Sequence, residues 1–344
     1  MLNESLFHSN SKILRHPENP ILTRHDVPYP ATLVFNAGVT FYSGEYVCVF
    51  RNDFGEWDNP EFVGTNLGLA TSTDGIHWKV NSKPIWTLED VIKDTATFFP
   101  NHSNENEILR AYDPRLTVIE GHCYMCFALD TRHGLRGGAA RTTDFHHFEV
   151  LSLSTPDNRN MVLFPEKIYG KYIRLERPMP VYSRQMETHF DIWCSDSDDL
   201  KYWGNHQGVL WLEQVPFAND KIGPAAPPIK TKYGWLTLFH AVDRDPNRGK
   251  NGWEEIWQKR YSVGVMLLDL ENPAKVIGMS KEPLMVPEYA YERNGFRNDV
   301  LFPGGMILEK SGEVKIYYGA ADTVECLATA DINDLIKLCV TKLT

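Results

Sequence analysis

Asparagine or aspartate, with a cation nearby, recurs along this chain in short polar motifs that could do chemistry together. The motifs are Asn36-Ala37-Gly38, Tyr112-Asp113-Pro114-Arg115, Asn158-Arg159-Asn160, Lys221-Ile222-Gly223 followed by Pro227-Pro228-Ile229, and Asn298-Asp299-Val300. The strands expected to pair with them end in Phe50-Arg51, Glu176-Arg177-Pro178, Phe239-His240 and Ala320-Ala321-Asp322. Brought together, Arg51, Arg159, Arg177, Lys221 and His240 form a basic socket. Such a socket calls for an anion, because gathered cations repel one another and are costly to desolvate. Arginine forks match the oxygens of phosphate or carboxylate, and Lys and His add point charge and a further donor. The alternative pairs each arginine with a carboxylate such as Glu166, Glu176 or Asp191, the usual state of a buried charge.

Asp113 is the candidate acid: it stands in a Tyr-Asp-Pro-Arg turn and lacks an adjacent carboxylate. Breaking a glycosidic bond takes an acid for the leaving oxygen and a nucleophile on the other face of the sugar. If the socket holds phosphate as nucleophile, a second catalytic carboxylate is unnecessary, and one acid beside a phosphate site is the pattern of an inverting phosphorylase. A turn aspartate is otherwise structural. Asp322, in YYGAADT, is placed to accept hydrogen bonds from sugar hydroxyls or to cap its own turn. The 9 Trp and 15 Tyr suit a carbohydrate site, although most must serve packing. No metal site is expected. Cys123-x-x-Cys126 has no second CxxC and lies in a strand-like run whose positions three apart face opposite ways. His102, His146, His147, His189 and His206 show no metal-ligand spacing, and no GxGxxG, Walker or G-x-S-x-G motif occurs.

The elements that must position these residues are short strands. Val34–Val39, Tyr46–Arg51, Leu116–Ile119, Tyr124–Leu129, Tyr172–Leu175, Trp235–Val242, Tyr261–Leu268 and Val314–Tyr318 are rich in β-branched or aromatic residues and bounded by turn formers. A loose repeat joins them. A strand ends in Ser43-Gly44, Glu120-Gly121, Tyr169-Gly170, Tyr233-Gly234 or Ser311-Gly312, and a second strand follows at once. Three units then close on Ser72-x-Asp74-Gly75-x-x-Trp78, Thr142-x-Asp144-Phe145-x-x-Phe148 and Ser197-x-Asp199-Leu200-x-x-Trp203, while the last two end at LLDLENPAKV and ATADINDLIKL. Five such units predict an all-β, five-bladed propeller in a single domain over residues 1–344, with the N-terminal 18 or so residues an extension. A propeller gathers its ligand residues where the inner strands converge; a propeller that serves as a protein-docking platform is the alternative.

Composition narrows the function further. The 344 residues hold 35 Lys and Arg against 45 Asp and Glu, a formal charge of −10, which argues against nucleic acid or an anionic membrane as partner. No run is long and apolar enough to span a bilayer, the N-terminal stretch lacks the apolar centre of a secretion signal, and six cysteines are too sparse for a disulfide scaffold. A cytoplasmic location is expected. Homo-oligomers are common among such chains, and the sequence is compatible with one.

At these residues the chain resembles glycoside hydrolase family 130, the β-mannoside phosphorylases. The resemblance runs from about Asn19 to Leu338 through NPILTRHDVP, FNAGV, STDGIHW, AYDPRL, NRNMVLFPEKIYGKY, KIGPAAPPIKTKYGWLTLFH, LLDLENPAKVIG, NDVLFP and YYGAADT. It implies a five-bladed propeller and phosphorolysis of a β-mannoside with inversion, releasing α-mannose 1-phosphate. Inorganic phosphate would be co-substrate and a β-mannoside oligosaccharide the partner, with no cofactor. By resemblance the acid is Asp113, passing its proton through the mannose 3-hydroxyl. The phosphate ligands are Arg159, Arg177, Lys221, His240 and Tyr261, and the mannose ligands Asn36, Arg51 and Asp322. The chain departs from the family at Ala37, where a serine is frequent, at His240-Ala241-Val242, where the family has His-Gly-Val, and in the charged insertion 243–260. That insertion and the loop 87–110 are expected to border the acceptor side, with β-1,4-mannosyl-glucose or β-1,4-manno-oligosaccharide as the favoured substrate. A family β-mannosidase and a non-catalytic carbohydrate-binding propeller are the alternatives; retention of Arg159, Arg177 and His240 counts against the first.

Overall fold

Strand-forming runs alternate so closely with turn residues that each stretch of chain pairs with its own neighbour, five times over. The computed structural model describes residues 2–55, 63–100, 107–179, 190–248 and 257–340. His102, His189, part of the 87–110 loop and the middle of the 243–260 insertion lie outside the described residues. After a short strand β1 (Leu14–Arg15), blade one comprises β2 (Leu33–Tyr42), β3 (Glu45–Phe54), β4 (Gly64–Ser72) and β5 (Lys79–Val80). Blade two is β6 (Ile108–Ile119), β7 (His122–Thr131), β8 (Gly134–Thr142) and β9 (Glu149–Leu153). Blade three is β10 (Asn158–Leu163), β11 (Tyr172–Pro178), β12 (Ile192–Ser197) and β13 (Gly204–Leu210). Blade four has an interrupted inner strand, β14 (Lys221–Pro224) and β15 (Ile229–Thr231), both on β16 (Gly234–Arg244), then β17 (Lys259–Leu268) and β18 (Val276–Met279). Blade five is β19 (Leu301–Leu308), β20 (Glu313–Ala320) and β21 (Val324–Asp331). The expected propeller is what forms.

One expectation needs correcting. The N-terminal residues are not simply an extension, because Leu14 and Arg15 pair with Thr329 and Ala328 and supply the outer strand of blade five. Arg15 also carries a buried ion pair to Glu292, 3.1 Å away. The ring is thus closed by strands from both ends of the described chain.

The repeat has a local cause at each corner. Ser43-Gly44, Glu120-Gly121 and Tyr169-Gly170 all have positive φ at both residues, as two-residue hairpins with type I′ turns require. In the three polar-Asp-aromatic turns, the hydroxyl of Ser72, Thr142 or Ser197 accepts the N–H groups two and three residues on. Asp74, Asp144 and Asp199 do the same for the next two N–H groups. Each turn satisfies its own backbone.

Strand alternation then divides the core into wedges between blades rather than one central mass. On β7, Cys123, Met125, Phe127 and Leu129 pack against blade one, whereas Tyr124 and Cys126 pack against Met161 and Leu163 of blade three. Cys123 and Cys126 are therefore buried free thiols on opposite faces, as their spacing predicts.

Candidate active site

The polar motifs lie where the inner strands depart from regular pairing. Residues 36–37 of β2, 113–114 of β6 and 160–161 of β10 each form a bulge, two residues opposing one on the neighbouring strand. The first residue of each bulge, Asn36, Asp113 or Asn160, has φ of 51°, 53° or 56°. Asn and Asp tolerate that left-handed geometry because their short side chains bond locally, and a bulge re-aims the side chain it carries. Asp113 thus sits in a bulge inside a strand, not in the turn its Tyr-Asp-Pro-Arg context suggests.

The bulges at Asn36 and Asp113 border a cavity of about 330 Å³, and six of the expected site residues line it: Asn36, Arg51, Asp113, Arg159, Tyr261 and Asp322. Asp113 is 9 % exposed; its Oδ1 accepts from Asn36 Nδ2 at 3.1 Å and from Arg51 Nη1 at 3.3 Å. Burial alone would raise the Asp113 pKa, but Arg51, Arg115 and Arg159 override it and hold the carboxyl below its ordinary value. Asp322 is shifted the other way: burial raises it, and Arg297, 3.8 Å away, and Arg51 only partly oppose. Two carboxyls in one cavity are thereby driven apart.

Arg51 does not join the basic socket in which the bare pattern placed it. It is neutralised by Asp53, with Nη2 2.6 Å from Oδ2, and by Asp113, and it stacks over the Phe35 and Tyr112 rings. The remaining cations do gather, next to the cavity. Arg159 donates from Nη1 to the Tyr112 hydroxyl at 3.2 Å, Arg177 donates from Nη1 to His240 Nε2 at 3.2 Å, and Lys221 Nζ lies 5.3 Å from the centre of the Tyr261 ring. The His240 and Tyr261 ring centres are 6.0 Å apart, their planes inclined by 26°. Arg177, Lys221 and His240 form a layer adjoining the cavity rather than its wall.

The carboxylates that could have quenched this cluster are engaged elsewhere. Glu166 pairs with Lys230, Glu176 with Arg174 and His206, and Asp191 accepts the Leu212 N–H. Among the described residues, Arg159 and Arg177 have no carboxylate partner within ion-pair distance, and Arg159 Nε, Arg177 Nε and His240 Nδ1 are buried with no hydrogen-bond partner. Lys221 reaches Asp220 only at 4.0 Å, and Asp220 is shared with Lys259 at 3.2 Å. Burial, and after it the charge of Arg177, pushes Lys221 and His240 well below their ordinary pKa values. Because Arg177 can only donate, His240 Nε2 must accept, and His240 is neutral with its proton on Nδ1. Cations that lower one another's pKa and leave donors unpaired are the electrostatic outline of an anion site.

Several lining residues escaped the sequence reading. Asp53 was findable, since Arg51-x-Asp53 places both side chains on one face of a strand; Tyr112 stood beside Asp113 unweighed. Trp257 and Arg297 come from segments without a repeat signal. Trp257 lies in the described end of the insertion, parallel to the Tyr261 ring at 5.8 Å, with Arg297 4.5 Å from its centre. The stem of that insertion is braced by Asp243, which accepts from Arg248 Nη2 at 2.7 Å and Arg260 Nε at 2.9 Å. Arg110, at the end of the 87–110 loop, also lines the cavity.

The fold and site define a class: a five-bladed propeller with a carboxyl-lined cavity beside a cluster of buried basic side chains, of which Arg159 and Arg177 have no carboxylate partner among the described residues. Residues 11–341 match the glycoside hydrolase family 130 model described as β-1,4-mannooligosaccharide phosphorylase, and the chain belongs to that family of mannoside phosphorylases. It is 33 % identical to the β-1,4-mannooligosaccharide phosphorylase of Ruminococcus albus, over 94 % of this chain and 90 % of that one. It is 31 % identical to the 1,2-β-oligomannan phosphorylase of Thermoanaerobacter sp. (strain X514), over 94 % and 99 %. Among solved structures, the β-1,2-mannobiose phosphorylase of Listeria innocua in complex with β-1,2-mannobiose superposes with a TM-score of 0.78 at 26 % identity, covering 96 % of this chain and 99 % of that one.

Proposed function

We propose that this protein cleaves a β-mannoside with inorganic phosphate, inverting the anomeric centre and releasing α-mannose 1-phosphate. The observation that carries the reading is the set of buried nitrogens of Arg159, Arg177 and His240, unpartnered among the described residues, beside a cavity that presents Asp113. Phosphate held by Arg159, Arg177, Lys221, His240 and Tyr261 would supply the nucleophile. Asp113, positioned by Asn36 and Arg51, would supply the proton for the leaving oxygen, by the family resemblance through the mannose 3-hydroxyl. Asn36, Arg51 and Asp322 would hold the mannosyl unit. No cofactor enters this chemistry. For the linkage we take β-1,4, supported by the description of the matching family model and by the relative at 33 % identity.

Purified protein incubated with β-1,4- and β-1,2-mannosyl disaccharides, with and without phosphate, tests both parts. Mannose 1-phosphate formed only when phosphate is present, and fastest from a β-1,4 substrate, is the expected result. Free mannose released at equal rate without phosphate would make the protein a hydrolase and leave the cation cluster in need of another ligand.

A further inference from the structure

Glu325 is an acid in a place where acids are rare. It is the second residue of β21, fully buried, opposite Gly319 of β20. Its flanking residue Cys326 packs with blades four and five, and Glu325 points the other way, toward blade one. There its Oε2 accepts the backbone N–H of Ala37 at 3.1 Å, while Oε1 has no hydrogen-bond partner among the described residues.

Ala37 is the second residue of the β2 bulge, where the regular pairing of β2 with β3 is interrupted. The carbonyl of the same peptide unit, Asn36 C=O, receives Arg115 Nη1 at 3.5 Å, and Arg115 is itself anchored on Pro114 C=O at 2.7 Å and Ala225 C=O at 2.8 Å. One peptide is therefore gripped at both ends by buried side chains from blades two and five. That peptide follows the left-handed φ of Asn36, the residue whose amide reaches Asp113. Gly319 completes the arrangement, because a side chain there would collide with Asn36.

We propose that Glu325 is a positioning residue: by taking the Ala37 N–H it fixes the backbone at Asn36 and so holds the Asn36 amide against Asp113. The role rests on the reading of Asp113 as the acid. Burial pushes the Glu325 carboxyl up to about 8, with the Ala37 N–H and Arg115 opposing and Asp113 reinforcing. Near neutrality the side chain thus carries its proton and acts as a neutral acceptor, which makes glutamine a close substitute.

Glu325→Leu should lower kcat for phosphorolysis about tenfold or more, with the KM for phosphate unchanged and the fold intact by circular dichroism. Glu325→Gln should restore kcat to within about twofold of wild type, since its carbonyl can take the same N–H. In an Asn36→Ala background Glu325→Leu should add little, because the two changes remove one interaction. Wild-type kcat in Glu325→Leu, or losses that multiply fully in the double variant, would overturn the proposal. If the leucine variant does not fold, Glu325→Asp, one methylene short of Ala37, takes its place in the same comparison. Asp113→Asn, measured in parallel, separates the two ideas. An active Asp113→Asn sinks the acid assignment itself, whereas an inactive Asp113→Asn beside a fully active Glu325→Leu sinks only the positioning role.

Discussion

Asp113 is held ionised by three arginines, and an ionised carboxylate cannot protonate a leaving oxygen. Phosphate bound against Arg159 would cancel part of that field, so the co-substrate itself would prepare the acid. The sign follows. If Asp113 is the acid, it would work in its protonated form, activity would be lost as pH rises through its pKa, and bound phosphate would raise that pKa. The alkaline limb of the rate profile should therefore lie at higher pH with saturating phosphate than with scarce phosphate; an unmoved or lowered limb contradicts this coupling. On the proposed reading, Arg177 would act on the anion side alone. Replacing it with Ala removes a charged donor and the hydrogen bond to His240, worth about 1.5–3 kcal/mol, so the KM for phosphate should rise roughly ten- to a hundredfold while mannoside binding is largely kept. An unchanged phosphate KM would take Arg177 out of the site. At this scale the sequence was informative about placement: Asp113 and Arg159 line one cavity, and His240 lies beside it against Arg177. It misled where the partner decides the role: Arg51 reads as a socket cation until Asp53 is seen against it.

The element that converts these residues into a site is the bulged inner strand. Gly38 shows how closely two such strands approach: a Cβ there would lie 2.8 Å from Pro114 O and 2.9 Å from Leu116 N, both backbone atoms. Gly38→Ala must push the β2 and β6 bulges apart. The variant should lose about 1–3 kcal/mol of stability, as overpacking typically does, and should lose turnover beyond what the lower Tm explains, because Asn36 and Asp113 stand on those two bulges. A variant with wild-type Tm and kcat would show that the strands have slack. Sequence pattern exposed the hairpins, since Ser43-Gly44, Glu120-Gly121 and Tyr169-Gly170 advertise type I′ turns. It hid the bulges, because one extra residue in a strand leaves no break in the run of apolar residues, and Pro114 made a turn the simpler reading.

At the scale of the whole molecule, five wedges of core between blades hold the ring, and the last blade depends on residues from the start of the chain. Removing residues 2–16 would bare the β21 edge and leave Glu292, fully buried, without Arg15. Stranding a buried charge costs about 3–5 kcal/mol, so the truncated protein should melt several degrees lower; an unchanged Tm would mean the closing strand is dispensable. Blade number was legible because each blade repeats its own turn chemistry. The closing strand was not, for Leu14-Arg15 is too short to carry a period and its partners lie more than 300 residues away. Residues from all five blades converge on one cavity, which suits the single displacement by phosphate proposed above. The most direct test of that displacement is to follow the reaction by proton and phosphorus NMR from the first turnovers of a β-mannoside in phosphate. The account predicts α-mannose 1-phosphate as the first mannosyl product; the β-anomer, or free mannose appearing ahead of any sugar phosphate, would contradict it.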